Sequence, residues 1–434
     1  MTKNNIEIFI NGAGLAGLLA SIAFARKGFS VVCIDKMDVK NHIDNNKKSY
    51  RTTAFLEPSK KFFDEIGIWT EIKKYSCPMN SLKLVDTRLL NNHLAIEATK
   101  TFSNEGSDTL GWNIKNNDMI KTLFEIAKKE KNISLFPNTT IEAFEITDEF
   151  VEISLSNKKH FNAKLIVGSD GKDSFIRNEL NIKSTTKELR QNALTFGIQH
   201  EKSHNNISNE IYYSGGPFTT VPIKNNSSEN YSSVVWMDEE IATENLMKLD
   251  KTSFEQEINK RSADILGHLK LVSEPQLWKM RTQVAKRLIS FRAVIIAEAA
   301  HVLPPIGAQG FNMSINDIKC LLKKSINNKY KLGEPRMLLS YERERLVDMN
   351  FRVSSVSLLN YFSKTDNPFL KIIRSSSINE DTKQEIQEAW DSKLVEVRDQ
   401  VTAELREEFA GKYEHDKSGK TQNVEECDSE SHRA

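Results

Sequence analysis

The 434-residue chain is poor in cysteine, and its four, Cys33, Cys77, Cys320 and Cys427, show neither a CxxC pair nor metal-ligand spacing. That pattern excludes a disulfide framework and a cysteine-held metal, and reads as reduced cytosolic thiols. Long apolar runs are missing too: none approaches the roughly 20 residues a membrane span needs. The apolar N-terminus is broken by glycines, so it reads as a strand and not as a signal peptide. An excess of charge of one sign is nearly absent, the formal net being +1. With no basic stripe interleaved with aromatics, nucleic acid is excluded as a partner. No Ser-His-Asp set and no His/Cys cluster stands out, which removes hydrolases and metalloenzymes. What remains is 39% hydrophobic and 27% charged. A soluble, cytoplasmic enzyme with more than one structural unit and no internal repeat is expected.

Glycine is placed where it matters most near the start. The apolar run Ile6 to Ile10 leads through Gly12-Ala13-Gly14-Leu15-Ala16-Gly17 into a helical pattern reaching Lys27 before Gly28. A second apolar run, Val31 to Ile34, ends at Asp35-Lys36. Strand, tight turn, helix and an acidic second strand end are the parts of a dinucleotide-binding unit. Gly12 permits the bend, Gly14 lets main-chain N–H groups approach a pyrophosphate, and Gly17 lets helix and strand pack closely. The Asp35 carboxylate repels a 2′-phosphate, so the nucleotide is FAD or NAD and not NADP.

A second signal lies nearly three hundred residues on, in AVIIAEAAHVLPPIGAQGFNMSINDI from Ala293 to Ile318. Ala293 to Ala297 reads as a buried strand with Glu298 at its end, Pro304-Pro305-Ile306-Gly307 as a turn, and a new helix starts near Gly310 and Phe311. Its first N–H groups and dipole would stabilise negative charge, as on a reduced flavin. An NAD enzyme needs no such element.

Three motifs in order, GAGLAG at Gly12 to Gly17, VGSDGKDSFIR at Val167 to Arg177, and AEAAHVLPPIGAQGFN at Ala297 to Asn312, carry a resemblance to the class A flavoprotein aromatic monooxygenases of the para-hydroxybenzoate hydroxylase-like group. Arg51 in RTTAFLEPSKKFFDEIGIW and Tyr341, Arg345 and Asp348 in YERERLVD add to it. Gly216-Pro217-Phe218, Val221-Pro222-Ile223 and Ser232 to Trp236 resemble the ubiquinone-biosynthesis hydroxylases within that group, and the likeness runs from residue 5 to about 373. It implies FAD as cofactor, NAD(P)H as reductant, O2 as co-substrate, and hydroxylation of a phenolic ring through a flavin C4a-hydroperoxide. The implied substrate is a polyprenylated quinone precursor, with a biosynthetic complex and peripheral contact with the inner membrane as implied partners. The alternatives are a class A hydroxylase of a small soluble aromatic, and a flavin-poor scaffold of such a complex.

By that resemblance Gly12, Ala13, Gly14, Gly17, Asp35, Lys36, Arg51, Asp170, Gly171, Arg177, Glu298, Gly307, Gln309, Gly310 and Asn312 bind the cofactor. Pro304, Pro305, Ile306 and Gly307 wall the flavin and substrate. No side-chain acid or base is assigned, and His301, beside a buried strand, reads as structural. The family has Gly-Asp where this chain has Ala297-Glu298; the longer carboxylate asks the strand end to sit further back, and the methyl is tolerable unless that backbone needs a positive φ.

The expected architecture is α/β: a Rossmann-like FAD domain built from residues 1–80, 105–185 and 280–345, interleaved with a sheet-rich substrate domain from 81–104 and 186–279, followed by C-terminal helices over 346–411. From Asn379 to Phe409, Ile386, Trp390, Leu394, Val397, Val401, Leu405 and Phe409 recur three or four apart along one helix face. That stripe would pack on the catalytic body or dock on a partner. Residues 412–434 are polar and expected to be disordered.

Overall fold

Continuous apolar strands need cover on both faces, and the first of them sits at the middle of a parallel sheet. Strand β1 (Asn4–Asn11), helix α1 (Leu15–Arg26) and strand β2 (Val31–Ile34) follow one another as the glycine spacing predicts. The structure, a computed structural model, describes residues 4–39, 49–91, 93–104, 108–225 and 229–364. The expected stripe at 379–409, the tail after it and Cys427 lie outside them.

Helix α1 is apolar all round, with Leu18 to Ala25 buried, because the sheet lies under it while helices Asn116–Lys129 and Gln309–Asn327 flank it. It stops where Gly28 adopts φ +79 and the N–H of Phe29 returns to the Phe24 carbonyl, a glycine C-terminal cap. Among the described residues the sheet runs Ile289–Ser290, Ala293–Ile295, His160–Gly168, β1, β2, Ile133–Phe136, the last five strands parallel. Strands Ile141–Ile146 and Val151–Leu155 hang antiparallel from His160–Gly168. Since neighbouring strands are parallel, the chain leaves β1, β2, His160–Gly168 and Ala293–Ile295 at the same edge. Ligands of open α/β sheets bind at that edge.

Among the described residues a second sheet, of nine strands, carries the residues between. Its strands include Ser81–Leu90, His93–Ser103, Ser184–His200, Ile207–Tyr212, Pro217–Pro222 and Asn230–Glu239. One face buries Leu194, Phe196, Ile198, Phe218, Val234 and Trp236 against Phe254 and Ile258 of helix Lys251–Arg261. The other turns Ala193, Met237 and Met280 toward Ile306 and Val356. Strand Gln276–Ala285 belongs wholly to this sheet and His301–Val302 pairs with it, so the boundary expected at residue 280 falls inside a strand. Helix Pro335–Lys364 likewise runs through the boundary expected at 346.

A three-stranded sheet, Thr52–Leu56, Cys77–Met79 and Gly111–Lys115, completes the frame. It stacks Phe55 on Trp112, ring centroids 6.0 Å apart, with Trp69 edge-on to both.

Candidate active site

The glycine turn is built from two conformational demands and one vacancy. At Gly12 φ is +104, and a Cβ there would lie 2.5 Å from the Ser169 carbonyl oxygen. A Cβ on Gly17 would lie 1.7 Å from the Gly12 carbonyl oxygen. Gly14 differs: its φ is −70, and nothing lies within 4 Å of where its Cβ would be. No side chain caps α1, and no acid occupies its first turn. Its first N–H groups therefore face open space at the positive end of the helix dipole, a ready site for a pyrophosphate.

Asp35 closes the turn, one carboxylate oxygen accepting the Ala13 N–H at 2.7 Å and the other the Met37 N–H at 2.8 Å. Lys36 is exposed beside it. Ala13, Asp35, Val39, Phe124, Leu135 and Phe136 line a small, mostly apolar cleft beside the turn.

The turn after His160–Gly168 is tied to the first. The Ser169 hydroxyl donates to the carbonyls of Asn11 and Gly12, and Asn11 Nδ2 donates to Asp170 at 2.9 Å. Asp170 also receives the Ser174 hydroxyl and the Ile176 N–H, so its carboxylate is spent on holding this turn. Gly171 takes φ +84 with open space at its Cβ position. Arg177, buried, donates to the carbonyls of Ala299 at 3.0 Å and Lys172 at 2.9 Å. It ties the Asp-Gly turn to the segment carrying Glu298.

In that segment the expected strand is cut short. Ala293–Ile295 is extended, but Ala297–Ala299 forms a 3-10 turn and Ala297 has φ +56. The alanine thus occupies the left-handed region that favours glycine, at a cost of roughly 1–2 kcal/mol. Glu298 is exposed on the turn.

The following loop is strained as well. Gly307 has φ +61 and Ala308 +56, and Ala308 starts helix Gln309–Asn327 with no side-chain cap and no acid in its first turn. Nothing lies within 4 Å of a Cβ built on Gly310. A second open helix N-terminus thus rises from the same edge. Pro304 and Ile306 are buried, while Pro305 and Gly307 are exposed. Ile306 packs among Ala193, Met237, Met280 and Val356, so the loop presents one side to the substrate sheet.

Two further residues of the expected cofactor set have other partners as well. All four polar positions of Asn312 are taken: Oδ1 accepts the Leu56 N–H and the Ser59 hydroxyl, and Nδ2 donates to the carbonyls of Ala54 and Ala308. The Asn312 side chain thereby pins the helix start to strand Thr52–Leu56. The Arg51 guanidinium lies over the Trp278 ring, 4.7 Å from its centroid, on the substrate sheet.

Composition and spacing left one cluster unread. The Asp317 carboxylate, 1% exposed, accepts the Ala297 N–H at 2.9 Å, faces His301 Nε2 at 2.7 Å, and accepts Arg345 Nε at 2.7 Å. Burial works to raise this carboxyl, but His301, Arg345 and the Ala297 N–H outweigh it and hold it below the ordinary value. His301 is buried, and its ring is occupied by Asp317. The spacing of sixteen between His301 and Asp317 follows no simple motif, although Tyr341, Arg345 and Asp348 had marked helix Pro335–Lys364, which supplies Arg345.

An open groove of about 560 Å³, lined by residues such as Leu180, Lys183, Lys286, Arg287, Phe291 and Leu339, contains none of these groups. Chemistry, not volume, locates the site. Among the described residues no cluster of His, Cys, Asp or Glu could hold a metal ion, and no helix is long and apolar enough to cross a membrane.

The FAD binding domain family matches residues 5–350. The ubiquinone hydroxylase UbiL of Rhodospirillum rubrum is 26% identical over 79% of this chain and 78% of its own. The 3-demethoxyubiquinol 3-hydroxylase of Escherichia coli is 22% identical over 86% of this chain and 94% of its own. In fold, the chain is similar to a probable FAD-dependent monooxygenase from Pseudomonas aeruginosa, with a TM-score of 0.70 at 17% identity over 83% of this chain and 97% of that one. The p-nitrophenol 4-monooxygenase of Pseudomonas putida gives 0.70 at 15% identity over 88% and 95%. With two open helix N-termini, an acidic strand end and an apolar wall at one sheet edge, and with the family match over most of its length, the chain belongs to the FAD binding domain family as an FAD-dependent monooxygenase of class A.

Proposed function

We propose that this protein hydroxylates the aromatic ring of a polyprenylated quinone precursor, using NAD(P)H and O2. The observation that carries the reading is the loop Pro304–Gly307, which sets Ile306 against Ala193, Met237, Met280 and Val356 directly before an open helix N-terminus. Polarity on one side of the loop and an apolar lining on the other suit a flavin ring and a hydrophobic substrate ring. The names of the curated relatives support a quinone precursor.

FAD, when bound, supplies the activation of O2 and the oxygen transfer. The chain's residues do the rest. The α1 N-terminus and the Gly12–Gly17 turn would hold the pyrophosphate, Asp35 the ribose, and the N–H groups at Gln309 and Gly310 the electron-rich end of the flavin. Glu298, Pro304 and Pro305 would bound the flavin, and the buried Ile306 excludes water from the reacting face. Arg177 holds the turns facing the cofactor in register. Peripheral membrane contact follows from the same reading, because a polyprenyl tail partitions into lipid, and a place in a biosynthetic complex belongs to the same proposal.

The test is deletion of the gene followed by mass spectrometry of quinone intermediates. Accumulation of a prenylated precursor lacking one ring hydroxyl, restored by the gene in trans, is the expected result. Unchanged quinone content together with turnover of a soluble phenol by the purified enzyme would overturn it.

A further inference from the structure

Beyond the residues that would face the cofactor, a chain of charged side chains runs from one cofactor-facing segment to the other. It starts at Ala297, whose N–H is held by Asp317, and passes through Arg345, which donates Nε to Asp317 at 2.7 Å and Nη1 to Asp348 at 2.6 Å. Asp348 accepts Arg352 Nε at 2.9 Å with its other oxygen, and Arg352 Nη1 donates to Gln309 Oε1 at 2.8 Å. Gln309 Nε2 closes the path on the Gly307 carbonyl at 3.0 Å. Both ends are strained, at Ala297 with φ +56 and at Ala308 with φ +56. Left-handed alanines persist only when their surroundings over-determine them.

We infer that Arg352 is a positioning residue: from helix Pro335–Lys364 it latches the start of helix Gln309–Asn327, and through Asp348, Arg345 and Asp317 it fixes the distance between the Ala297 turn and the Gly307–Gln309 loop. The planar guanidinium reaches Asp348 through Nε and Gln309 through Nη1, two nitrogens in a fixed geometry that the single nitrogen of lysine does not reproduce. The same helix touches the substrate side, since Val356 packs with Ile306 and Asn360 Nδ2 donates to Gln191 Oε1 at 2.9 Å. One rigid element therefore sets the loop from both sides. The inference rests on reading Pro304–Gln309 as the flavin wall, but the latch is measurable without that reading.

Arg352→Met, Arg352→Lys, Gln309→Met and the Arg352→Met/Gln309→Met pair would be compared by hydrogen exchange over 303–312, with and without FAD, and by the reduction potential of bound FAD. The Arg352 side chain is 32% exposed, so its replacement leaves the core intact. Arg352→Met should still bind FAD, speed exchange over 307–312 at least ten-fold in both states and lower the potential, with Arg352→Lys between it and the parent. The double variant should be no worse than the worse single one, since both cut the same link. Unchanged exchange in either single variant, additive effects, or loss of FAD and fold in Arg352→Met would overturn the inference. Faster exchange with an unchanged potential would keep the latch and reject the flavin-wall reading on which it was placed.

Discussion

At the scale of single residues, the three glycines of the first turn make separable predictions. Gly14 has ordinary backbone angles and empty space at its Cβ, so Gly14→Val should leave the melting temperature of the FAD-free protein unchanged while abolishing FAD binding in an absorbance titration. Gly17→Ala, with its Cβ 1.7 Å from a carbonyl oxygen, should unfold the protein regardless of cofactor. Ala297→Gly removes a left-handed alanine, and thermal denaturation should show a gain of about 1 kcal/mol. Glu298→Asp is expected to keep FAD affinity, and Glu298→Ala to lose on the order of 1.5–3 kcal/mol of it. Equal affinity of both with the parent would show that this exposed carboxylate is no ligand. The glycines and Asp35 were legible because their conformational and charge demands are local. Asn312 was not: its partners at residues 54 to 59 lie over 250 positions away, and side-chain bonds of that span leave no spacing to read.

Elements follow a similar division. Strand β2 and helix α1 fell where the apolar periods put them, because a strand covered on both faces and a buried helix write their environment into every residue. The strand at 293 ended early for a tertiary reason: Asp317 captures the Ala297 N–H and Arg177 the Ala299 carbonyl, bending the chain into a 3-10 turn. Asp317→Asn should cost about 3–5 kcal/mol by chemical denaturation, since it leaves Arg345, 4% exposed, facing an uncharged amide. The same carboxylate sets an acid limit. Its folded value lies below the unfolded one, so its contribution is present above the ordinary carboxylate value of about 4 and is lost as pH falls through the depressed value. The parent should lose stability on acidification below pH about 4 more steeply than Asp317→Asn, measured as the denaturation midpoint against pH.

In the whole molecule, the chain passes back and forth between its two large sheets: from β2 to Ser81–Ser103, back to Ile133–Gly168, out to Ser184–Ala285, and back again to Ala293–Ile295. The sequence showed a Rossmann-like part interleaved with a sheet-rich one, but the boundary at 280 split strand Gln276–Ala285 and put His301–Val302 on the other side of it, because position along the chain says little about which sheet supplies the partner. This interlacing has a consequence for how the protein can be taken apart. No single cut liberates either sheet intact, so a protease nicking a surface loop should yield fragments that stay associated until denatured. Neither half is an exchangeable module, and each ribosome-bound intermediate up to residue 295 lacks an inner strand of the cofactor-side sheet. Binding competence should therefore emerge late in synthesis and all at once, leaving the nascent chain dependent on protection for most of its length.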